Sequence, residues 1–472
     1  MTRVVVGPFN RVEGDLEVGL DVEAGRIRSA QVNSPLFRGF EQIMVGRAPL
    51  DALAIVPRIC GICSVAQSAA AASALAEAMG VVPTVNGKIS RNLITATENL
   101  ADHLTHFYLF FMPDFARPAY TDRRWHSAVA KRFTAVTGEA AAEILPARAG
   151  FLRMMGFLAG RWPHTLAIQP GGSTRAITAG ERIRLLALLR EFRGFLEKRL
   201  FGDSLTAVAE LTSKDQLLAW ADGRSGDFPA FLHAASDLGL DKLGRAYDAF
   251  LSYGAYDLFP AGTWQAGQAA VFDPVAIAED TTSAWLAPGS ARHPAQGETI
   301  VDANKPDAYT WCKAPRYAGQ PFEVGALARQ VIAGHPLALD LVQRDGASVM
   351  ARVVARLLEL ALVLPTMEGW VQALQPGEPF CAHGEMPENA TGTGLVEAAR
   401  GGLGHWLSIR HGCIERYQII APTTWNFSPR DASNQPGPLE LALVGLPAGE
   451  GVPPTVQHVV RSFDPCMVCT VH

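Results

Sequence analysis

The chain has 472 residues, of which 48% are hydrophobic, and a formal net charge of −5 at pH 7. It is long enough to bury a large core, and its charge gives no reason to expect a nucleic acid or another polyanion as partner. The N-terminal residues lack the apolar stretch of a signal peptide, and charges interrupt the most apolar segments before the roughly 20 residues of a membrane span. These features predict a soluble cytoplasmic protein without a transmembrane segment.

Apolar and polar side chains alternate along residues 3–37, which predicts a small antiparallel sheet. After it, helical periodicity dominates, with predicted helices at 64–79, 90–112, 137–159, 179–201, 205–221 and 345–373. The stretches 258–326 and 374–394 have weak periodicity, so irregular structure or short strands are expected there. The expected fold class is mainly α (α+β): a bundle of long helices with a small N-terminal antiparallel sheet at about residues 1–37.

Two Cys-x-x-Cys pairs lie near opposite ends of the chain, Cys60 with Cys63 and Cys466 with Cys469. Four thiolates from two remote segments form a ligand set that suits a soft metal ion. If the pairs meet at one metal, the two ends cannot belong to independent domains. Residues 1–472 are therefore expected to form a single domain.

Other interpretations of the cysteines remain open at this point. A structural zinc site takes four thiolates readily, but its pairs usually lie within about 20 residues of one another. A thiol–disulfide function is less favoured because neither pair has a partner motif. The isolated Cys312, Cys381 and Cys413 are expected to be small buried hydrophobic residues.

The residues around the cysteines distinguish between these interpretations. Several motifs, in the same order along the chain, resemble those of the large subunit of nickel–iron hydrogenases. The matching segments are Asn10–Gly14, Arg38–Glu41, Arg58–Cys63, His103–Tyr108 with Asp102 before it, Pro163–His164, Pro170–Gly172, Glu397–Gly401, Pro422–Asn426 and Asp464–His472. The resemblance covers the whole chain. One departure is Ala399, which stands where the family usually has proline.

By this resemblance, Cys60, Cys63, Cys466 and Cys469 bind nickel, and Cys63 and Cys469 also bridge to an iron that carries carbon monoxide and cyanide. A second metal site, for magnesium or a similar divalent cation, is implied at Glu41 and His472. A carboxylate and an imidazole suit such a cation.

Heterolytic cleavage of dihydrogen requires a metal and a base that takes the proton. Arg400 is the first candidate for that base, with Asp102 and Asp464 as the carboxylates that a buried arginine needs; a structural salt bridge is the alternative, and the two roles are compatible. The thiolate of Cys469 is the rival candidate. Glu13 is expected to carry the proton onward, because a carboxyl group with a raised pKa can both accept and donate near neutral pH.

Three residues depart from most members of the family. Gln67 occupies the position, four residues after Cys63, where most members have histidine; an amide can donate a neutral hydrogen bond but cannot titrate. Ile62 and Phe110 replace smaller residues at the inner end of the gas channel, where a narrower passage would slow oxygen more than dihydrogen; ordinary core repacking is the alternative. Together they favour the regulatory, hydrogen-sensing branch.

The expected assembly follows from the same resemblance. Iron–sulfur clusters would lie only in a partner small subunit, with a sensor histidine kinase as receiver, maturation proteins as transient partners and a dimer of heterodimers as the assembly. By the same resemblance, an end at His472 is expected either of a sensor made without a C-terminal extension or of a mature product from which the extension has been removed. The alternative function is a respiratory uptake hydrogenase; a non-enzymatic relative such as the complex I subunit would have lost the cysteines.

Overall fold

Three strands at the start of the chain form the sheet that the alternating pattern predicts. The computed structural model describes residues 2–448 and 453–470, and in it β1 (Thr2–Val6), β2 (Glu17–Glu23) and β3 (Arg26–Asn33) pair antiparallel in the order β1-β2-β3. Leu16, Val18 and Val32 are buried beneath it. The N-terminal sheet is therefore confirmed.

Helices are the predominant secondary structure of the described chain, which confirms the mainly α fold class. They are α1 (Phe40–Met44), α2 (Ala52–Ile55), α3 (Ser64–Met79), α4 (Val85–Thr105), α5 (His126–Phe133), α6 (Glu139–Leu158), α7 (Ala179–Phe195), α8 (Leu205–Ala209), α9 (Lys214–Ala221), α10 (Asp227–Asp237), α11 (Ala326–Ile332), α12 (Pro336–Asp345), α13 (Val349–Ala373), α14 (Pro422–Asn426), α15 (Pro438–Leu443) and α16 (Pro454–Ser462). Short 3₁₀ turns connect several of them.

Four predicted helices differ in detail from the structure. The helix expected at 345–373 begins only at Val349, because Asp345 ends a separate helix, α12. The helix expected at 90–112 begins earlier, at Val85, and after Thr105 continues as a π-helix over His106–Phe111. The helix expected at 179–201 also ends in a π-helix, Leu196–Phe201. The single helix expected at 205–221 is wrong, because α8 ends at Ala209 and α9 starts only at Lys214, with Ser213 as its N-cap.

The remaining strands are β4 (Ile168–Gln169), β5 (Gly172–Ser173), β6 (Ala249–Ala255), β7 (Phe259–Gln265), β8 (Gln268–Ala270), β9 (Ile277–Asp280), β10 (Ala314–Tyr317), β11 (Ala390–Ala398), β12 (Gly401–Arg410) and β13 (Cys413–Ile420). The short strands expected within 258–326 are confirmed. The antiparallel sheet β11-β12-β13 was not predicted. In β12 every residue from Gly401 to Ile409 is buried, so the strand lacks the polar–apolar alternation that indicates a half-buried strand.

The unpredicted sheet packs directly on α3, the alanine-rich helix that follows Cys63. A Cβ atom added at Gly392 or Gly394 of β11 would overlap the backbone carbonyl oxygens of Ala74 and Ala70. Glycine on the strand and alanine on the helix therefore allow the two backbones to approach closely. This contact fixes the helix whose first turn adjoins the second cysteine.

The two ends of the chain lie together. The amide of Met467 donates to the carbonyl of Glu13 at 2.7 Å, and the amide of Glu13 donates to the carbonyl of Pro465 at 3.3 Å. One continuous set of buried hydrophobic side chains extends from Val6 to Cys469. On this basis we propose that the chain forms a single domain.

Candidate metal centre

The four paired cysteines meet in one buried cluster. The Sγ–Sγ distances are 3.4 Å between Cys60 and Cys466, 3.1 Å between Cys63 and Cys469, and 3.0 Å between Cys466 and Cys469. All four sulfur atoms lie within 4.8 Å of one another. Since a metal–thiolate bond is about 2.3 Å long, sulfur atoms this close can share an ion. The donor set therefore fits a thiolate-bound metal centre.

The thiols influence one another strongly. Contacts with the neighbouring thiols lower the pKa of Cys60 well below its ordinary value, and the same contacts, with burial, raise the pKa of Cys63 and Cys466 well above it. Four thiolates without a cation would repel one another in a buried site, and a bound cation favours the thiolate form.

Short turns and one arginine hold the two cysteine segments together. Cys60 is extended and follows a 3₁₀ turn, Cys63 is the N-cap of α3, and Cys469 ends the 3₁₀ turn Met467–Cys469. Arg38 donates to the carbonyl of Ile59, just before Cys60, and to the carbonyl of Val468, just before Cys469, at 2.6 Å. One guanidinium thus bridges the residues that precede a cysteine in each pair.

A buried carboxylate supports the first turn of α3. Glu98, which is 2% exposed, accepts hydrogen bonds from the amides of Val65 and Ala66 at 3.0 Å each. Trp162 Nε1 donates to the same carboxylate at 2.8 Å. Burial raises the pKa of Glu98 to about 8 despite these donors. A side chain from α4 therefore satisfies the free N–H groups at the start of α3.

Arg400 lies beside the cysteines and is paired as the sequence predicts. Its Nη1 is 2.7 Å from Asp102 Oδ2 and its Nη2 is 3.1 Å from Asp464 Oδ1. Its Nε donates to the carbonyl of Asp464 at 2.9 Å. Although burial opposes the charge, the two carboxylates and the nearby thiolates hold the pKa of Arg400 well above its ordinary value.

The two carboxylates differ in their surroundings. Burial raises the pKa of Asp102 to about 7, against the opposing effect of Arg400. For Asp464 burial is outweighed by Arg400 and then by His106, so its pKa lies below the ordinary value. Because both share one guanidinium, they titrate as a coupled pair.

Glu13 lies on the N-terminal loop that pairs with the second cysteine segment. A backbone bridge joins it to Cys466. Its side chain is partly buried, and burial together with the Cys60 sulfur raises its pKa above the ordinary value of 4.5. The loop therefore holds a carboxyl group between the sulfur cluster and the outside of the core.

Gln67 is fully buried one helical turn after Cys63, and its backbone N–H donates to the backbone carbonyl of Cys63 at 3.2 Å. Its Oε1 lies 2.8 Å from His405 Nε2, and His405 Nδ1 lies 2.8 Å from the hydroxyl of Tyr417. Its Nε2 is buried without a hydrogen-bond partner among the described residues. An unpaired amide donor one turn from a ligand fits a centre with anionic ligands.

The two residues assigned to the gas channel lie in different surroundings. Ile62, between the first two ligands, is partly buried and packs against the main core. Phe110 lies in the π-helix His106–Phe111, also partly buried, and its carbonyl accepts from Arg11 Nη1 at 3.1 Å. Their assignment to a gas channel stays a prediction.

Glu41 lies in a second buried polar cluster. Its Oε1 accepts from Lys313 Nζ and from the amide of Ile419 at 2.9 Å each, and its Oε2 accepts from the hydroxyl of Thr299. Lys313 also contacts Glu279, whose pKa burial raises to about 7. Two buried carboxylates against one ammonium leave net negative charge, which suits an additional cation. The other expected ligand, His472, lies outside the described residues.

The isolated cysteines are only partly as predicted. Cys312 is buried, as expected, but Cys381 is partly exposed and Cys413 is exposed. Cys413 begins β13 directly after the turn at Gly412, which places it at the surface end of a hairpin. The expectation that all three are buried hydrophobic residues is therefore wrong for Cys381 and Cys413.

Sequence reasoning missed a buried network behind Arg400. Arg329, fully buried, donates to Glu397 at 2.6 Å, to Glu359 at 2.8 Å and to the carbonyl of Ala399 at 3.1 Å. Glu359 also lies 3.1 Å from His103 Nε2. These contacts fix the segment before Arg400. Glu397 and His103 lie in the motifs named above, whereas Arg329 and Glu359 lie outside them.

Comparisons with known proteins agree with this geometry. A family model described as nickel-dependent hydrogenase matches residues 38–120 and 141–472. The large subunit of the periplasmic [NiFeSe] hydrogenase of Desulfomicrobium baculatum is 32% identical over 513 residues, covering 100% of this chain and 95% of the relative. The large chain of the quinone-reactive Ni/Fe-hydrogenase of Wolinella succinogenes is 26% identical over 568 residues, covering 100% and 96%.

The fold agrees as well. The solved structure of the reduced Ni-Fe-Se hydrogenase from Desulfovibrio vulgaris Hildenborough has a TM-score of 0.86 against this chain at 31% identity, with 100% of both chains covered. Motifs, sulfur cluster, family match and fold thus coincide over the same residues. The chain belongs to the nickel-dependent hydrogenase family.

Proposed function

We propose that this chain is the large catalytic subunit of a hydrogen-sensing nickel–iron hydrogenase, which cleaves dihydrogen reversibly and heterolytically. The observation that carries the activity is the cluster of four thiols beside the paired guanidinium of Arg400. The sensing role rests on Gln67, Ile62 and Phe110. The sensing role is more specific than membership of the family, because the family includes several types of hydrogenase.

Cys60, Cys63, Cys466 and Cys469 would hold nickel, and Cys63 and Cys469 would also hold an iron with carbon monoxide and cyanide ligands. When bound, this centre supplies the Lewis acid that polarises dihydrogen. The chain contributes the dry, closely packed surroundings: all four cysteines and Arg400 are buried. In such a site, fixed charges act more strongly than in water.

We favour the Cys469 thiolate as the first base, with Arg400 as a fixed positive charge. Every nitrogen of Arg400 already contacts a carboxylate or a carbonyl oxygen. A guanidinium in such a setting stays charged and orients Asp102 and Asp464 rather than taking a proton.

Glu13 would receive the proton and pass it outward. Its loop is hydrogen-bonded to the second cysteine segment, its carboxyl is partly buried, and its pKa is raised toward the range in which a carboxyl can both accept and donate. Its position at the edge of the core suits a relay more than a structural ion pair.

Gln67 supports the sensing role because it places a neutral amide where a titratable imidazole is usual in this family. Ile62 and Phe110 support a narrow passage for gases. A second candidate is a respiratory uptake hydrogenase, which the quinone-reactive relative from Wolinella succinogenes favours. Both candidates share the chemistry and differ in rate, oxygen response and partners.

The remaining parts of the proposal concern cofactors and partners. Glu41 and His472 would bind magnesium or a similar divalent cation. The iron–sulfur clusters would lie in a partner small subunit, and the pair would form a dimer of heterodimers that signals through a histidine kinase. Within residues 2–448 and 453–470, no helix is long and apolar enough to cross a membrane. A cytoplasmic location remains a prediction that cell fractionation tests.

Metal analysis and infrared spectroscopy of the chain purified with its small subunit test the activity. We expect nickel and iron together with carbon monoxide and cyanide bands; zinc alone would overturn the proposal. To test sensing, dihydrogen uptake is measured before and after exposure to air. Slow uptake that survives air supports a sensor, whereas fast uptake lost in air supports the uptake enzyme.

A further inference from the structure

A chain of three buried side chains leads from the second sheet to the first turn of α3. Tyr417 on β13, His405 on β12 and Gln67 on α3 are 1%, 0% and 0% exposed. Both links measure 2.8 Å, from the Tyr417 hydroxyl to His405 Nδ1 and from His405 Nε2 to Gln67 Oε1. The order along the chain is therefore hydroxyl, imidazole, amide.

The direction of these hydrogen bonds follows from the chemistry of each group. An amide oxygen can only accept, so the 2.8 Å contact with Gln67 Oε1 places a proton on His405 Nε2, and Nδ1 then accepts from the Tyr417 hydroxyl. An imidazole that accepts at Nδ1 and is neutral carries its proton on Nε2. That N–H donates to the amide oxygen of Gln67, which turns the amide nitrogen to the opposite side.

The amide nitrogen of Gln67 is the donor that this arrangement leaves for the cysteine cluster. It is buried, it has no partner among the described residues, and its backbone is tied to Cys63. A primary amide can rotate by half a turn and exchange its oxygen and nitrogen. Within residues 2–448 and 453–470, the hydrogen bond to His405 is the contact that determines which of the two atoms faces the cluster.

We propose that His405 is a positioning residue that acts through Gln67: its Nε2–H fixes the amide so that the N–H₂ group faces the thiolates. This inference rests on the proposed nickel–iron centre. Tyr417 in turn selects the tautomer of His405. An imidazole thus lies one side chain away from the position where the family usually has histidine, and it acts on the cysteine cluster only through the amide of Gln67.

The alternative is that His405 only fills space between β12 and α3. The test compares His405→Phe, Gln67→Ala and the double variant, each purified with the small subunit. Nickel content and the thermal unfolding midpoint report folding. The infrared band of the carbon monoxide ligand reports the electron density at the metal, which a hydrogen bond to a bridging thiolate changes.

We expect His405→Phe to shift that band in the same direction as Gln67→Ala, and to add no further shift when Gln67 is already alanine. His405→Gln, which restores an N–H donor, should return the band toward its wild-type position. A shift of equal size with and without Gln67, or no shift at all in a fully loaded variant, would overturn the inference. If the wild type itself lacks carbon monoxide bands, the proposed function fails instead.

The variant Tyr417→Phe provides a second test of the inference, and Tyr120→Phe is its matched control. Tyr120 and His458 form another buried tyrosine–histidine pair at 2.8 Å, distant in sequence from Gln67. Tyr417→Phe should shift the band because both tautomers of His405 become accessible, whereas Tyr120→Phe should leave it unchanged. Equal shifts in the two variants would show a general loss of stability and contradict the proposed role.

Discussion

The carboxylate of Glu98 accepts a hydrogen bond of 3.0 Å from the backbone N–H of Val65, which lies two positions after Cys63. A residue of α4 therefore fixes the first turn of α3. The same carboxylate accepts from Ala66 and Trp162. A cysteine at a helix N-cap has little freedom once the following N–H groups are held. The precision of the cysteine cluster thus depends on a side chain outside every motif that identifies the family.

Replacing Glu98 with leucine should release the first turn of α3. The buried amides of Val65 and Ala66 lose their acceptor, and each costs about 1–3 kcal/mol when left unpaired. We expect a lower unfolding midpoint and a reduced nickel content per chain. Glu181→Leu, which removes the capping carboxylate of α7 far from the cysteines, is the matched control and should leave nickel content unchanged. Normal nickel content in Glu98→Leu would contradict this role.

Arg400→Lys should abolish most activity while keeping the positive charge. A single ammonium cannot replace the planar fork that reaches both Asp102 and Asp464. We expect dihydrogen-driven dye reduction to fall about a hundredfold, the effect typical of losing one fixed donor at a reacting centre. Arg316→Lys, at the buried pair with Asp431, controls for lost stability and should not change the rate. Equal rates in both variants would remove Arg400 from the mechanism.

Glu13→Gln should block proton transfer without removing the metal. The amide has nearly the same shape but does not titrate. Exchange between deuterium gas and water, followed by mass spectrometry, should fall to the background rate, while nickel and iron contents stay at the wild-type level. Glu17→Gln on β2 serves as the control. If exchange in Glu13→Gln remains unchanged, another group carries the proton.

The double variant Ile62→Val, Phe110→Leu should make the enzyme sensitive to oxygen. The two changes remove one methylene and the bulk of one ring, so any passage beside them widens. Residual activity after a timed exposure to air measures the effect, and Ile94→Val, in the buried face of α4, controls for lost packing. Retained tolerance would show that the gate lies elsewhere and would favour ordinary core repacking.

Glu440 gives the folded chain a pH dependence away from the cysteines. Burial raises its pKa from 4.5 to about 7, while its Oε1 accepts from Val32 and Tyr309. Because the folded form holds its proton more tightly than the unfolded chain, its contribution to stability is complete below pH 4.5. That contribution is lost as the pH rises through 7.

Glu440→Gln keeps the acceptor and removes the titration. Between pH 5 and 8, the free energy of unfolding of the variant should rise relative to the wild type by up to about 3 kcal/mol, at 1.36 kcal/mol per pKa unit. Denaturant unfolding at the two pH values measures the difference. The exposed variant Glu23→Gln should show no such change. Parallel pH profiles for wild type and Glu440→Gln would mean that Glu440 titrates normally.

The local sequence pattern predicts some helices, strands and site residues of this chain and misses others. The alanine run before Gly80 predicts α3 to the residue, because helix propensity and the C-terminal glycine agree. Strand β12 was not predicted because both of its faces are buried, so its sequence does not alternate between polar and apolar side chains. The cysteines are identifiable because two remote Cys-x-x-Cys pairs are uncommon, and Arg400 because it lies in a motif that resembles the family. Glu98 and His405 are not, because their roles consist of contacts with residues 33 and 338 positions away.

The meeting of the two cysteine pairs also sets the order of events during biosynthesis. Cys466 leaves the ribosome 406 residues after Cys60, so for most of translation the nascent chain carries only half of a ligand set. Closing so long a loop costs only slightly more entropy than closing one half its length. The four thiols can therefore come together in one cluster only when synthesis of the chain is almost complete, and the core that contains them is completed at the same stage.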